Sequence, residues 1–339
     1  MNTLRRFSRV AFVLLAAGTV LPSIRCAAEA APDAPYKIIN SVEVPGTGGI
    51  DYVYADSDAR RLYVPRGDSI LTFDLDTLKQ GAPIATTGAH GVAVDAKSHH
   101  GFGSSNPVVM WDAVTLKTIK TIAVQGDPDG ILFEPQTERI FVFSHAAPNA
   151  TVINAADGTI AGTIDLGGAP EQAVSDGEGH LYVDIKDKGN VAVVDLATLK
   201  VISHHDLGGK KGPAGLALDA SNHVLFAFCR EPAAAVMLNA QSGEILGTLP
   251  IGAGTDGGGF NPATMEAFSS QRDGTLTIIK KSGPDSFGVE QTLKTMPGAK
   301  TCTLDAKTNR ILLIAVEKIS VTPGTAVPVT PLHILVVGR

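Results

Sequence analysis

The chain has 339 residues, 44% of them hydrophobic and 18% charged, with a formal net charge of −6. This composition excludes a disordered chain and a membrane-saturated one, and the length is enough to bury a large core. Lys210–Lys211 and Lys280–Lys281 are the only adjacent lysines in an acidic chain, which argues against a phosphate-backbone partner, so nucleic acid is not expected.

In chain order, the first element is a targeting segment. Arg5, Arg6 and Arg9 precede an apolar run over 10–21 that falls short of the ~20 residues needed to span a bilayer, and small residues follow. Residues 1–30 are therefore expected to be a cleavable signal peptide, cut after Ala28 or Ala30. The arginine pair leaves a twin-arginine route open. Arg25 before Cys26 argues against a lipoprotein. Cleavage removes four arginines and Glu29 and takes the net charge to −9. The expected location is periplasmic or secreted, with no transmembrane anchor in the mature chain, and 31–339 are expected to form a single domain.

After an isolated strand pattern at 36–44 (YKIINSVEV), one hairpin recurs seven times. An acidic or amide residue ends one apolar run and opens the next at Asp56, Asp95, Glu134, Asp176, Asp219, Asn261 and Asp305, with spacings of 39, 39, 42, 43, 42 and 44. Asx-type side chains suit such turns because they accept hydrogen bonds from nearby backbone N–H groups. Each hairpin is followed by a third run, such as ILTFD, VVMWD or NVAVVD, and a fourth, such as TIKTIAV or EILGTLPI. Four short strands in roughly 40 residues is the arithmetic of a propeller blade. The seventh unit stops after its third strand, within 298–337, and 36–44 has the pattern of the missing fourth. The expected fold is all-β: a seven-bladed β-propeller of four-stranded antiparallel blades, closed by the N-terminal strand pairing onto the last blade, which removes exposed sheet edges.

The segments LYVPRGDSILTFDLDTLK and LYVDIKDKGNVAVVDLATLK, with the connections GDPDGILF and GGAPEQAVS, resemble the YVTN-repeat, YncE-like seven-bladed propellers of bacterial envelopes. The likeness covers essentially the whole mature chain. The eponymous tetrapeptide is nowhere intact, since Pro65 follows Leu62–Tyr63–Val64 and Asp184 follows Leu181–Tyr182–Val183. The resemblance implies a WD40-like architecture that serves binding modules, redox-complex components and some enzymes, so it leaves the activity open.

In such a ring, the connections between blades and the loops between second and third strands share one face. His90 in GAHG and His145 at the end of IFVFSH fall there. So do Asp127 and Asp129 (GDPDG), Glu171 (GAPEQ) and Asp256 (GTDGG). Imidazole and carboxylate are metal-ligand chemistry, so His90, Asp129 and Glu171 are candidate ligands for a divalent cation at the channel mouth, or the cluster takes an amine. The alternative is that each faces channel water or caps a backbone N–H. A second ring, of Arg66, Asn106, Lys186, Arg230, Arg272 and Lys318, offers guanidinium forks to an anionic or zwitterionic ligand, or is solvated loop charge. The proline-punctuated stretch 317–331 is either a lid over this mouth or a tolerated insertion.

Several motifs carry nothing. GAGTDG (252–257) is followed by a strand rather than a helix, which removes the dinucleotide reading. No haem spacing, nucleophile elbow or HExxH occurs. Cys229 and Cys302 sit in apolar runs as expected buried thiols, and Trp111 reads as packing between blades. The expected function is a ligand-binding or protein-interaction module working through its top-face loops, with an unknown small molecule or envelope protein as partner. Two alternatives stand beside it: a metal-assisted hydrolase or lyase at the channel mouth, and a structural subunit of a periplasmic redox complex.

Overall fold

The hairpin residues set the architecture. In the computed structural model, which describes residues 34–147, 149–283, 286–316 and 330–339, Asp95 accepts from the Lys97 N–H at 2.9 Å, Glu134 from Thr137 at 2.7 Å and Asp219 from Asn222 at 3.2 Å. The residue before each second strand then turns left-handed: Arg60, His99, Glu138, Gly179, His223, Met265 and Asn309 all have positive φ. The third-to-fourth turns repeat the device. Asp74, Asp112, Asp195 and Asn239 each accept a backbone N–H three residues on.

These turns fold Pro35–Arg339 into a compact unit of seven four-stranded antiparallel sheets. Blades 1 to 6 have their strands within 54–85, 92–122, 128–164, 170–206, 211–250 and 255–294, and blade 7 is built from Thr301–Asp305, Arg310–Val316 and Leu332–Gly338 with Lys37–Val44 as its outer strand. That outer strand runs antiparallel to Leu332–Gly338, from Lys37 opposite Gly338 to Val44 opposite Leu332. The closure expected from the sequence is thus the one observed.

The period-2 alternation of each strand divides its side chains between two neighbours. Leu62 and Val64 pack toward blade 7, whereas Tyr63 packs toward blade 2; Leu181 and Val183 face blade 3, and Tyr182 faces blade 5. Each of the seven core clusters fills one interface between adjacent blades. Trp111 belongs to one of them. It is fully buried, 5.9 Å from the Tyr63 ring, over Gly101, where a Cβ would stand 2.2 Å from the indole. Cys229 and Cys302 are buried free thiols. No helix among the described residues is long and apolar enough to cross a membrane. The expected signal segment and most of the 317–331 stretch, including Lys318, lie outside the described residues.

Candidate functional site

Each blade delivers one residue to the axis from the connection before, or the start of, its first strand. They stand five positions ahead of the turn residue in every blade: Asp51, His90, Asp129, Glu171, Ala214, Asp256 and Lys300. Six of the seven line a cavity of about 260 Å³ at one end of the channel. Asp127, Pro128 and His145 of blade 3, Lys186, Arg230 and Arg272 complete its wall.

Eight of the nine residues anticipated as ligand contacts meet in this one cavity: His90, Asp127, Asp129, His145, Glu171, Arg230, Asp256 and Arg272. Arg66 does not, and its placement in the cationic ring is corrected. Its guanidinium turns into the closing seam, where it is 3% exposed and donates to the Val44 carbonyl at 3.2 Å and to the Thr330 carbonyl. The reason is local. Gly46, at φ +153°, lies against the guanidinium, and a Cβ there would stand 3.1 Å from Nη1. Burial pulls the Arg66 pKa down. Asn106 instead bonds the Gly126 carbonyl at 3.3 Å from an exposed position.

Asp51 and Lys300 are site residues that composition and loop position did not single out. The fixed five-residue offset from the hairpin acid was the signal that would have found them. Lys186, expected in the cationic ring, does reach the cavity.

The side chains form an almost continuous circuit of ion pairs. His90 Nδ1 is 2.9 Å from Asp51 Oδ2 and 3.4 Å from Asp129 Oδ1. His145 Nε2 is 3.1 Å from Asp129 Oδ2 and 3.7 Å from Glu171 Oε1, where Lys186 also bonds. On the far arc, Asp256 takes Arg230, Lys300 and Arg272, the last at 3.2 Å, and Lys300 reaches back to Asp51 at 3.0 Å. No ion pair among the described residues joins Lys186 to the far arc, and the blade between them contributes Ala214. Blades 1 to 4 therefore supply four carboxylates, two imidazoles and one lysine, whereas blades 5 to 7 supply three cations around one carboxylate. The mouth is dipolar.

The carboxylates set the protonation of their neighbours. Hydrogen bonding to Asp51 holds the His90 pKa above the ordinary imidazole value against the opposing effect of burial, and bonding to Asp129 does the same for His145. Burial pushes the Asp51 carboxyl up, but the bonds from His90 and Lys300 outweigh it and hold it below the carboxylate range. Tyr52 donates to Glu171 Oε2 at 3.3 Å. Burial, then the charges of Asp129, Glu171 and Asp51, push its phenol well up, so it stays a neutral donor. Beneath, a second cavity of about 350 Å³ is lined by first strands. Gln172 crosses it, accepting from Leu216 and Gly258 N–H at 3.1 and 3.0 Å.

No family model and no curated protein matches the chain. Among solved structures it is similar to the WD40 repeats of RRP9, at a TM-score of 0.71 and 10% identity over 87% of this chain and 97% of that one. It is similar to U3-55K at 0.70 and 10%, over 86% and 98%, and to hydrazine synthase of Kuenenia stuttgartiensis at 0.69 and 14%, over 78% and 92%. Identities this low speak to architecture alone. By architecture, the chain is a seven-bladed β-propeller.

Proposed function

We propose that the protein is an exported binding module that holds a small anionic or zwitterionic ligand in the charged mouth of the propeller. One observation carries this: Arg230, Arg272 and Lys300 share the single carboxylate of Asp256, next to the blade whose axial position is Ala214. Lys300 also pairs with Asp51, so the three cations of this arc meet two carboxylates, and one positive charge is left unbalanced beside Arg230 and Arg272. Arg272, 46% exposed, is free to turn its planar fork to a ligand carboxylate. An amine on the same ligand would then face the acidic arc. The arginine-led apolar N-terminus and the YVTN-like segments support export to the envelope, with residues 1–30 acting as the signal.

The test is calorimetry on the mature chain, in chelator, with a panel of small mono- and dicarboxylates and amino acids. Saturable binding is expected for at least one class, weakened about tenfold or more by Arg272→Gln, roughly the loss of one charge-assisted contact. The Lys97→Gln variant, altered in a first-to-second turn, should bind as the parent does. Absence of binding at millimolar concentrations across the panel, or an unchanged affinity in Arg272→Gln, would sink the proposal. The mass of the chain recovered from the periplasm or medium tests export, and is expected to correspond to a start after Ala28 or Ala30.

A further inference from the structure

On the acidic arc the geometry points to a two-metal centre for transition-series divalent cations, with Asp129 as the bridging carboxylate. Two donor sets share that residue: Asp51, His90 and Asp129, and Asp129, His145 and Glu171, with the ligand atoms of each set within 4.8 Å of one another. Asp129 turns Oδ1 toward His90 and Oδ2 toward His145. One oxygen to each set is how a carboxylate spans two ions about 3.5 to 4 Å apart.

The donor spacings fit an ion. Atoms arranged tetrahedrally around a cation at ~2.0 to 2.1 Å stand about 3.3 Å apart. The imidazole-to-carboxylate separations are 2.9 and 3.4 Å in the first set and 3.1 and 3.7 Å in the second. In both, one imidazole nitrogen faces two carboxylate oxygens, and its single N–H can serve only one of them well. A cation in that space engages all three donors and releases the proton.

Neighbouring groups hold the outer oxygens of Asp51 and Glu171 and orient both carboxylates, as ligand-orienting contacts do. Lys300 holds Asp51 Oδ1, so Oδ2 turns to His90. Tyr52 holds Glu171 Oε2, and Oε1, which turns to His145, also takes the Lys186 ammonium, so an ion in the second set must displace Lys186 from that oxygen. Ser104 donates its hydroxyl to the Asp129 carbonyl and fixes the bridging residue from behind. The Asp129 and Glu171 side chains are 9% and 7% exposed, and carboxylates so withdrawn from water call for cations. The imidazoles remain open at 47% and 36%. Three protein donors per ion therefore leave coordination positions facing the cavity. Two imidazoles with three carboxylates favour Zn²⁺, Mn²⁺, Fe²⁺ or Co²⁺ over Ca²⁺ or Mg²⁺.

This centre does not rest on anion binding by the opposite arc, and it is tested with metal alone. Chelator-stripped mature protein is titrated with Zn²⁺ by calorimetry, and metal retained after gel filtration is counted. Two equivalents per chain are expected. His90→Ala and His145→Ala should each retain one, and Asp129→Asn should weaken both by about tenfold or more, within the range for lost metal contacts. Mn²⁺-loaded protein should give the electron paramagnetic resonance spectrum of a spin-coupled pair. Circular dichroism melting of the metal-free variants identifies any that fail to fold, and the two histidine variants then stand in for Asp129→Asn. One equivalent or none, two with uncoupled Mn²⁺ spectra, or an Asp129→Asn or histidine series that binds as the parent does, would each overturn the two-metal centre. Ligand binding in chelator is read separately, so the two proposals fail independently.

Discussion

Lys300 Nζ lies 3.0 Å from Asp51 Oδ1, so the last blade's axial residue is paired with the first's across 249 residues of chain. The same ammonium bonds Asp256, which makes Lys300 the joint between the acidic and cationic arcs. Its side chain is 17% exposed, so water screens the contact only partly. Lys300→Met should cost about 1 to 2 kcal/mol, at the low end for a partly buried pair because His90 and the two arginines still serve the orphaned carboxylates. Lys300→Glu should cost more, since it adds a like charge beside both acids. Urea unfolding at low and moderate salt checks this. Equal stabilities for parent and Lys300→Glu would refute a joint at this position.

Arg66 gives a prediction for ring closure. Its two bonds go to the Val44 carbonyl, at the end of the closing strand, and to the Thr330 carbonyl, ahead of its partner strand. Arg66→Met leaves both acceptors unpaired in a seam where the residue is 3% exposed, and should destabilise by on the order of 2 to 3 kcal/mol. Arg66→Lys should recover little, because a point ammonium cannot replace a fork that reaches two carbonyls. Hydrogen exchange should speed up first over Lys37–Val44. Uniform acceleration across all blades would mean that the seam is not the site of the damage.

Asp219 shows why the fold could be read from the sequence and much of the site could not. Its carboxylate accepts the Asn222 N–H at 3.2 Å and the Asn222 side-chain amide at 2.7 Å, and His223 follows at φ 52°. That chemistry is local: the turn side chain accepts a nearby backbone N–H in six blades and the Thr308 hydroxyl in the seventh, so spacing alone revealed seven units and their register. The same register, carried back five residues, reaches Asp51 and Lys300. Arg66 could not be placed this way, because whether a loop side chain turns to the axis or into the seam depends on the chain lying over it, here Gly46. Nor could the contacts among Asp51, His90, Asp129 and Glu171, which come from four different connections. The turn makes its own prediction. Asp219→Ala should cost about 1 kcal/mol, as for the loss of a cap. Asp305→Ala should cost about 2 kcal/mol or more, since Asp305 also holds Arg60 across the blade 7 to blade 1 junction at 2.6 Å. Chemical denaturation should rank them in that order, and the reverse order would contradict the inter-blade role of Asp305.

Asp184, on the second strand of blade 4, is fully buried, and neither of its oxygens has a hydrogen-bond partner among the described residues. Burial, reinforced by the charge of Glu171, pushes its pKa well above the carboxylate range, so the folded protein keeps the proton. The sign of the linkage follows. Below about pH 4 the carboxyl is protonated folded and unfolded, and the residue adds no pH dependence. As pH rises, only the unfolded chain ionises, so stability falls by about 1.4 kcal/mol per pH unit until the raised folded pKa is reached. Asp184→Asn removes that slope while keeping shape and polarity. The variant should match the parent near pH 4 and exceed it by a margin that widens toward neutrality. Asp184→Leu should show the same trend, offset by whatever repacking its added bulk requires. Urea unfolding from pH 4 to 8 measures the margin directly, and a difference that stays constant over this range would show that the carboxyl ionises in the folded protein.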